Sequence, residues 1–183
     1  MEPISFDKLL LKTAFCCMAS DGNIDKREIT LIKKMCDNSH IFKEFDFKKE
    51  INALVDNLNG IGKEFISYYF DLLKNSTLSE TEELTLIDFA IRTIRADDLI
   101  EYAEIKFFKV IRRSLKISDD KILVEYPEIE SWLEEDLETE SYFDRITKQY
   151  LDIAEFPQFD LITTIDAEEL INNDRFNEEY EKK

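Results

Sequence analysis

Six acidic side chains stand out by type and spacing: Asp21, Asp25 and Glu28 fall close together, and Asp97, Glu101 and Glu104 repeat the arrangement farther along the chain. Carboxylate oxygens are hard donors, and hard cations such as Ca²⁺, Mg²⁺ or Mn²⁺ take oxygen ligands. Each trio is therefore a candidate divalent-cation site. Where two such trios lie side by side, the mutual repulsion of the carboxylates favours a bound cation. The same residues also support a chemistry without metal. Asp25 followed by Glu28 is a capping box, acids in a first helical turn meet the positive end of the helix dipole, and Asp21-Gly22 is an ordinary turn. Both readings stand at this stage.

An EF-hand does not fit. Asp21, Asn23 and Asp25 match the first ligand positions of that loop, but Lys26 stands where glycine is needed and Ile32 where a bidentate glutamate belongs. Catalytic patterns are also lacking: no G-x-S-x-G, H-E-x-x-H or P-loop string occurs, and the one histidine, His40, falls in the loop Asn38-Ser39-His40-Ile41-Phe42. Arg92 and Arg95 precede the second trio, where they read equally well as cations at a helix C-terminus. With no nucleophile and base to pair, the chain reads as non-enzymatic, and a metal-dependent hydrolase is the remote alternative.

Helices must position these acids. Phe6, Leu9, Leu10, Thr13, Ala14, Cys17 and Met18 recur at steps of three and four, predicting a helix that ends near Ser20, where Asp21-Gly22 stops it. A second helix is predicted from Asp25 to about Asn38. Two more follow over 46–58 and 62–75, separated by Asn59-Gly60-Ile61-Gly62. A fifth opens on the capping pair Ser79 and Glu82 and ends near Ala96, and a sixth runs from Tyr102 to Lys116. A short helix follows Ser118 until Pro127 interrupts it. Only three glycines and three prolines occur in 183 residues, which argues against tight-turned sheets and glycine-rich phosphate loops. The expected fold is all-α.

Sliding the sequence against itself gives a match at an offset of 76 residues, with Asp21–Ile29 aligned on Asp97–Ile105. Asp, Ile, Glu and Ile are identical and Asp25 becomes Glu101. Each copy sits in the turn of a helical hairpin, so the body reads as two related hairpins with a helix pair between them. The pattern A-x-D-G-x-I-x-x-x-E-I of the first turn, carried by Ala19 to Asp25 and Glu28, with its counterpart Ala96 to Glu101 and Glu104, resembles the TerB-like family of tellurite-resistance proteins. The resemblance spans residues 6 to 125. It implies a compact helical bundle of about seven helices linked to bacterial stress and tellurite resistance, with the acidic turns as candidate divalent-cation sites. A similar domain also occurs joined to co-chaperone J domains. The second copy departs in having Asp98 where the family favours glycine, and residues from about 127 onward fall outside the pattern.

Charge divides the chain at about the same place. Residues 1–117 carry a net charge of -2 and residues 118–183 one of -15, within a total of -17. Such an excess repels nucleic acid and anionic lipid. The expected organisation is a helical core over 1–126 and an acidic, partly helical extension over 127–183. A merely solvating tail would not carry Trp132, Phe143, Tyr150, Phe156 and Phe159, so these aromatics are expected to pack on the body. Ile129, Trp132, Leu133 and Leu137 predict one helical stripe; Tyr142, Phe143, Ile146, Tyr150 and Ile153 predict another. Segment 158–165 is open between a clip and a loop, and Asp166 with Glu169 offers a last helix start. The extension either folds back on Lys33, Lys34, Arg112, Arg113 and Lys116 or faces a basic partner, and tethering makes the internal contact the default.

Cys16, Cys17 and Cys36 are odd in number and lack C-x-x-C spacing, so a reducing compartment and packing roles are expected rather than disulfides, zinc or capture of soft tellurium. Phe107-Phe108 and Tyr68-Tyr69 read as core and boundary. No stretch is long and apolar enough to cross a bilayer. The sequence thus predicts a cytoplasmic interaction module with a protein partner, carrying either a divalent-cation site at its paired turns or only a constitutive helical scaffold.

Overall fold

The computed structural model describes residues 4–24, 26–42, 46–96, 100–134, 146–147, 150–152 and 156–161. Helix α1 (Phe6–Met18) runs into a 3-10 turn at Ala19–Asp21, and Gly22 ends it in the left-handed region at φ 85°, a conformation that favours glycine. Helix α2 (Lys26–Asn38) follows. Helix α3 (Phe47–Ile61) is opened by Asp46, whose carboxylate accepts the Lys49 N–H at 3.1 Å. It does not stop at Asn59, as the two nearby glycines suggested. Leu58 is buried and its carbonyl accepts the Gly62 N–H at 2.7 Å, which outweighs the helix penalty of Gly60, about 1 kcal/mol; the break falls at Gly62, where φ is 54°.

Helix α4 (Lys63–Lys74) leads to α5 (Glu80–Ile94), and the Ser79–Glu82 capping box forms as predicted, with the Ser79 N–H donated to Glu82 at 2.8 Å and the Glu82 N–H donated back to Ser79 Oγ at 3.3 Å. Helix α6 (Tyr102–Ser114), α7 (Asp119–Glu125), a 3-10 turn at Pro127–Ile129 and α8 (Glu130–Leu133) complete the series. No strand occurs among the described residues. The all-α expectation therefore holds.

Helix α1 is central. Its apolar residues predicted one buried face, but Leu11, Phe15 and Cys16 are buried as well, so the helix is enclosed nearly all round. It packs mainly along α5. Helix α2 also lies against α5, α6 lies against α1 and the 3-10 turn, and α4 joins α3 to α6. Phe107 of α6 sits at the centre of an aromatic cluster with Tyr69, Phe70 and Tyr150, at centroid separations of 6.1, 5.0 and 5.5 Å. The buried Tyr69 hydroxyl donates to Thr13 Oγ1 at 3.0 Å, and Thr13 donates to the Leu9 carbonyl at 2.9 Å, so this polar step in the core is satisfied. Tyr68 is the boundary member of its pair, with Lys12 Nζ over its ring.

Part of the extension folds back on the body. Trp132 meets Phe108 edge-on at 5.4 Å, Ile129 and Tyr150 are buried, and Phe156 and Phe159 pack against the core. Among the described residues, cations of the body tie it down. Lys33 pairs with Asp37 of its own helix and Arg112 with Asp119, while the described ties to the extension come from Arg95 to Glu128 at 2.6 Å, Lys109 Nζ to the Glu134 carbonyl at 3.0 Å and Lys63 Nζ to the Asp152 carbonyl at 3.3 Å. Leu137, Tyr142, Phe143, Ile153 and the start at Asp166 and Glu169 lie outside the described residues.

Candidate site at the paired acidic elbows

The two turns bearing the acidic trios are here called elbows. At the first, the chain leaves α1 through the 3-10 turn, and the exposed Asp21 folds its carboxylate over the backbone so that Oδ1 accepts the Asn23 N–H at 2.8 Å. Three residues into α2, Glu28 is only 6% exposed. At the second, Glu101 stands exposed at the N-terminal end of α6, and Glu104, 4% exposed, accepts the Glu101 N–H at 2.7 Å. That bond is the N3 arm of a capping box. Asp25 and Asp97 lie outside the described residues.

The elbows meet. The 3-10 turn of the first packs on α6, which begins at the second. Cys17, the fully buried thiol one turn before the first elbow, senses both: burial raises its pKa most, followed by Cys16, and then Glu104 from one elbow and Glu28 from the other push it further up. A residue from far along the chain closes the arrangement. The Tyr150 hydroxyl donates to the Ser20 carbonyl at 3.1 Å, and its ring packs on Phe107. Burial raises the Tyr150 phenol, with smaller pushes from Cys16, Cys17 and Asp21.

Of the six predicted acids, Glu28 and Glu104 both push the Cys17 thiol up, and Asp21 pushes the Tyr150 phenol up. Neither glutamate is unpartnered. Among the described residues, no group of three or more His, Cys, Asp or Glu side chains is arranged to hold a metal ion. Two of the described acids already accept backbone amides: Asp21 from Asn23 and Glu104 from Glu101. Both are the local capping and turn chemistry that the sequence offered beside the metal reading.

Sequence reasoning missed the contributions of Cys17 and Tyr150 to this site. Helical spacing placed Cys17 in the core, which is correct, but spacing along one helix does not say which acids approach it from another. It also passed over Glu83, a buried carboxylate in the first turn of α5 that accepts the N–H groups of Lys116 at 3.0 Å and Ile117 at 2.6 Å and so fixes the chain where it leaves α6. The remaining candidates for chemistry are the thiols and the lone histidine. Burial pushes the thiols of Cys16, Cys17 and Cys36 up, the last to about 12, so all three are protonated near neutral pH. His40 stands exposed in its turn. No helix among the described residues is long and apolar enough to cross a membrane. In comparisons with known proteins, no family model, no curated protein and no solved structure matched the chain.

Proposed function

We propose that this chain is a non-enzymatic interaction module, TerB-like in plan, whose helical body is a platform for polypeptide. The observation that carries this reading is the seating of the chain's own acidic extension: Trp132 and Tyr150 insert their rings, while Lys109, Lys63 and Asn59 hydrogen-bond the backbone of the segments they hold. A surface that recognises rings and main-chain groups binds polypeptide by general features. Reciprocal packing supports two related hairpins: under the 76-residue shift α1 corresponds to α5 and α2 to α6, and α2 lies on α5 as α6 lies on α1. A role in a cytoplasmic stress response rests on the family resemblance alone.

Beside the second elbow, Ile100 and Tyr102 are exposed, Tyr102 at 63%, next to the acids. This face is the one offered to a partner with a basic, apolar surface. A photo-crosslinking residue placed at Tyr102 of the full chain, in the cells that make it, is expected to give a discrete protein adduct that the same residue at Asn75, at the end of α4, does not give. Identical adducts from both positions, or none, would overturn the reading.

A second reading is favoured by the approach of Glu28 and Glu104 to one thiol: a divalent cation shared by the elbows fixes the angle between the hairpins and so sets the surface shown. Asp21, Asp25, Glu28, Asp97, Glu101 and Glu104 are its proposed ligands. Chelator-treated protein at a free Ca²⁺, Mg²⁺ or Mn²⁺ concentration a hundredfold above Kd would gain about 2.7 kcal/mol of stability, visible in thermal unfolding. The gain should vanish in the double variant Asp21→Ala, Asp97→Ala. An unchanged melting curve in the parent leaves the constitutive scaffold, and a gain that survives the double substitution puts the cation elsewhere.

A further inference from the structure

Helix α3 ends and α4 begins at Asn59–Lys63, and this junction holds a segment from about a hundred residues later. Asn59 makes the central contact. Its Nδ2 donates to the Phe159 carbonyl at 2.9 Å and its Oδ1 accepts the Phe159 N–H at 2.9 Å, so one side-chain amide reads both main-chain groups of a single residue. Gln158 adds a bond from Nε2 to the Asn59 carbonyl at 3.3 Å, and Lys63 holds the Asp152 carbonyl at 3.3 Å.

Two features separate this from ordinary loop packing. An amide that pairs with the N–H and C=O of one residue imitates a neighbouring strand, and it recognises an extended backbone whatever side chains that backbone carries. Side-chain selection is left to Phe156 and Phe159, which are half-buried against the core, whereas Pro157, Gln158, Asp160 and Leu161 face outward. The edge is also incompletely covered: Ile61, beside Asn59, is 52% exposed, and Leu161, at the end of the held segment, is 51% exposed.

We propose that the α3–α4 junction is a peptide-binding edge which the chain fills with its own residues 156–161, and which takes from a partner protein an extended segment of the same chemistry, two aromatics three residues apart followed by an acid. This deepens the interaction-module reading and rests on it in assigning polypeptide as the ligand. The internal segment acts as a competitor. Tethering gives it an effective concentration on the order of millimolar, so an external peptide of equal intrinsic affinity is held off until the internal one is weakened.

The test uses the full chain and a labelled hexapeptide of the sequence Phe-Pro-Gln-Phe-Asp-Leu, with binding read by fluorescence polarisation. Phe159→Ala, which removes the internal anchor, should raise the affinity for the peptide at least tenfold over the parent. Adding Asn59→Ala should remove that gain. A peptide N-methylated at its second phenylalanine lacks the N–H that Asn59 accepts and should also lose it, which tests the contact without altering the protein. Equal binding by the parent and Phe159→Ala, no binding by either, or full binding of the N-methylated peptide would each overturn the proposal. A parent dimer that Phe159→Ala dissolves, without peptide uptake, would assign the edge to a second copy and overturn it equally. None of these results depends on the Tyr102 adducts, so failure here and failure of the interaction-module reading are distinguishable.

Discussion

Phe107→Ala is expected to destabilise the fold by about 3–5 kcal/mol, the range for removing a fully buried aromatic ring from a core that cannot collapse around the gap. Phe107 is completely buried and its ring lies within 6.1 Å of Tyr69, Phe70 and Tyr150, so its loss removes dispersion contacts to α4 and to the extension at once. In a domain of this size the melting temperature should fall by roughly 10 °C or more. Urea unfolding followed by circular dichroism measures the loss. Phe107→Leu, which refills most of the volume, should recover a large part of it. A cost below about 1 kcal/mol for the alanine variant would mean that the ring is not packed as described.

Stability is also expected to collapse on the alkaline side. Burial raises the thiols of Cys16, Cys17 and Cys36 above their ordinary 9.0, and it raises the phenols of Tyr69, Tyr126 and Tyr150 above 10.0, with the Asp88 hydrogen bond adding to the shift at Tyr126. A group whose folded-state pKa is raised keeps its proton in the folded chain after the unfolded chain has released it. Its contribution is therefore intact below pH 9 and is lost as pH rises toward the folded value, about 12 for Cys36. Each such group costs about 1.4 kcal/mol per pH unit in that window, so the three thiols together remove roughly 4 kcal/mol by pH 10, before the phenols add their share. Urea midpoints measured between pH 7 and 10.5 should stay level up to about 9 and then fall steeply. Cys17→Ala should flatten the fall by about one thiol's share. A level profile to pH 10 would contradict the burial of these groups.

Helix starts and stops were legible because their causes are local. Ser79 with Glu82, Asp46 before α3, Gly22 after the first 3-10 turn and Pro127 after α7 each act within four residues of the boundary they set. The end of α3 was misplaced because Gly60 is tolerated inside a helix when a neighbour is buried, and the burial of Leu58 is decided by α1 and α4 rather than by the loop sequence. Helix α1 was read as one-sided for a similar reason: periodicity finds a face, but α2, α3, α4, α5 and α6 all pack on α1, and Phe15 and Cys16 are buried with the rest.

Helical class, caps, repeated acidic turns and the presence of a charged extension too aromatic to be mere solvating tail were all legible along the chain. Each follows from residue type and short-range spacing, where hydrogen bonds and the 3.6-residue period operate over a few positions. Left to the packed fold were the push of Glu28 and Glu104 on the same thiol, the reach of Tyr150 to Ser20, the ties of Arg95 and Lys109 to the extension, and the grip of Asn59 on the backbone of Phe159. Those pairings join residues tens to more than a hundred positions apart. They depend on how apolar surfaces from separate helices fill one interior, and that is a property of the packed whole, which a pattern read along the chain does not contain.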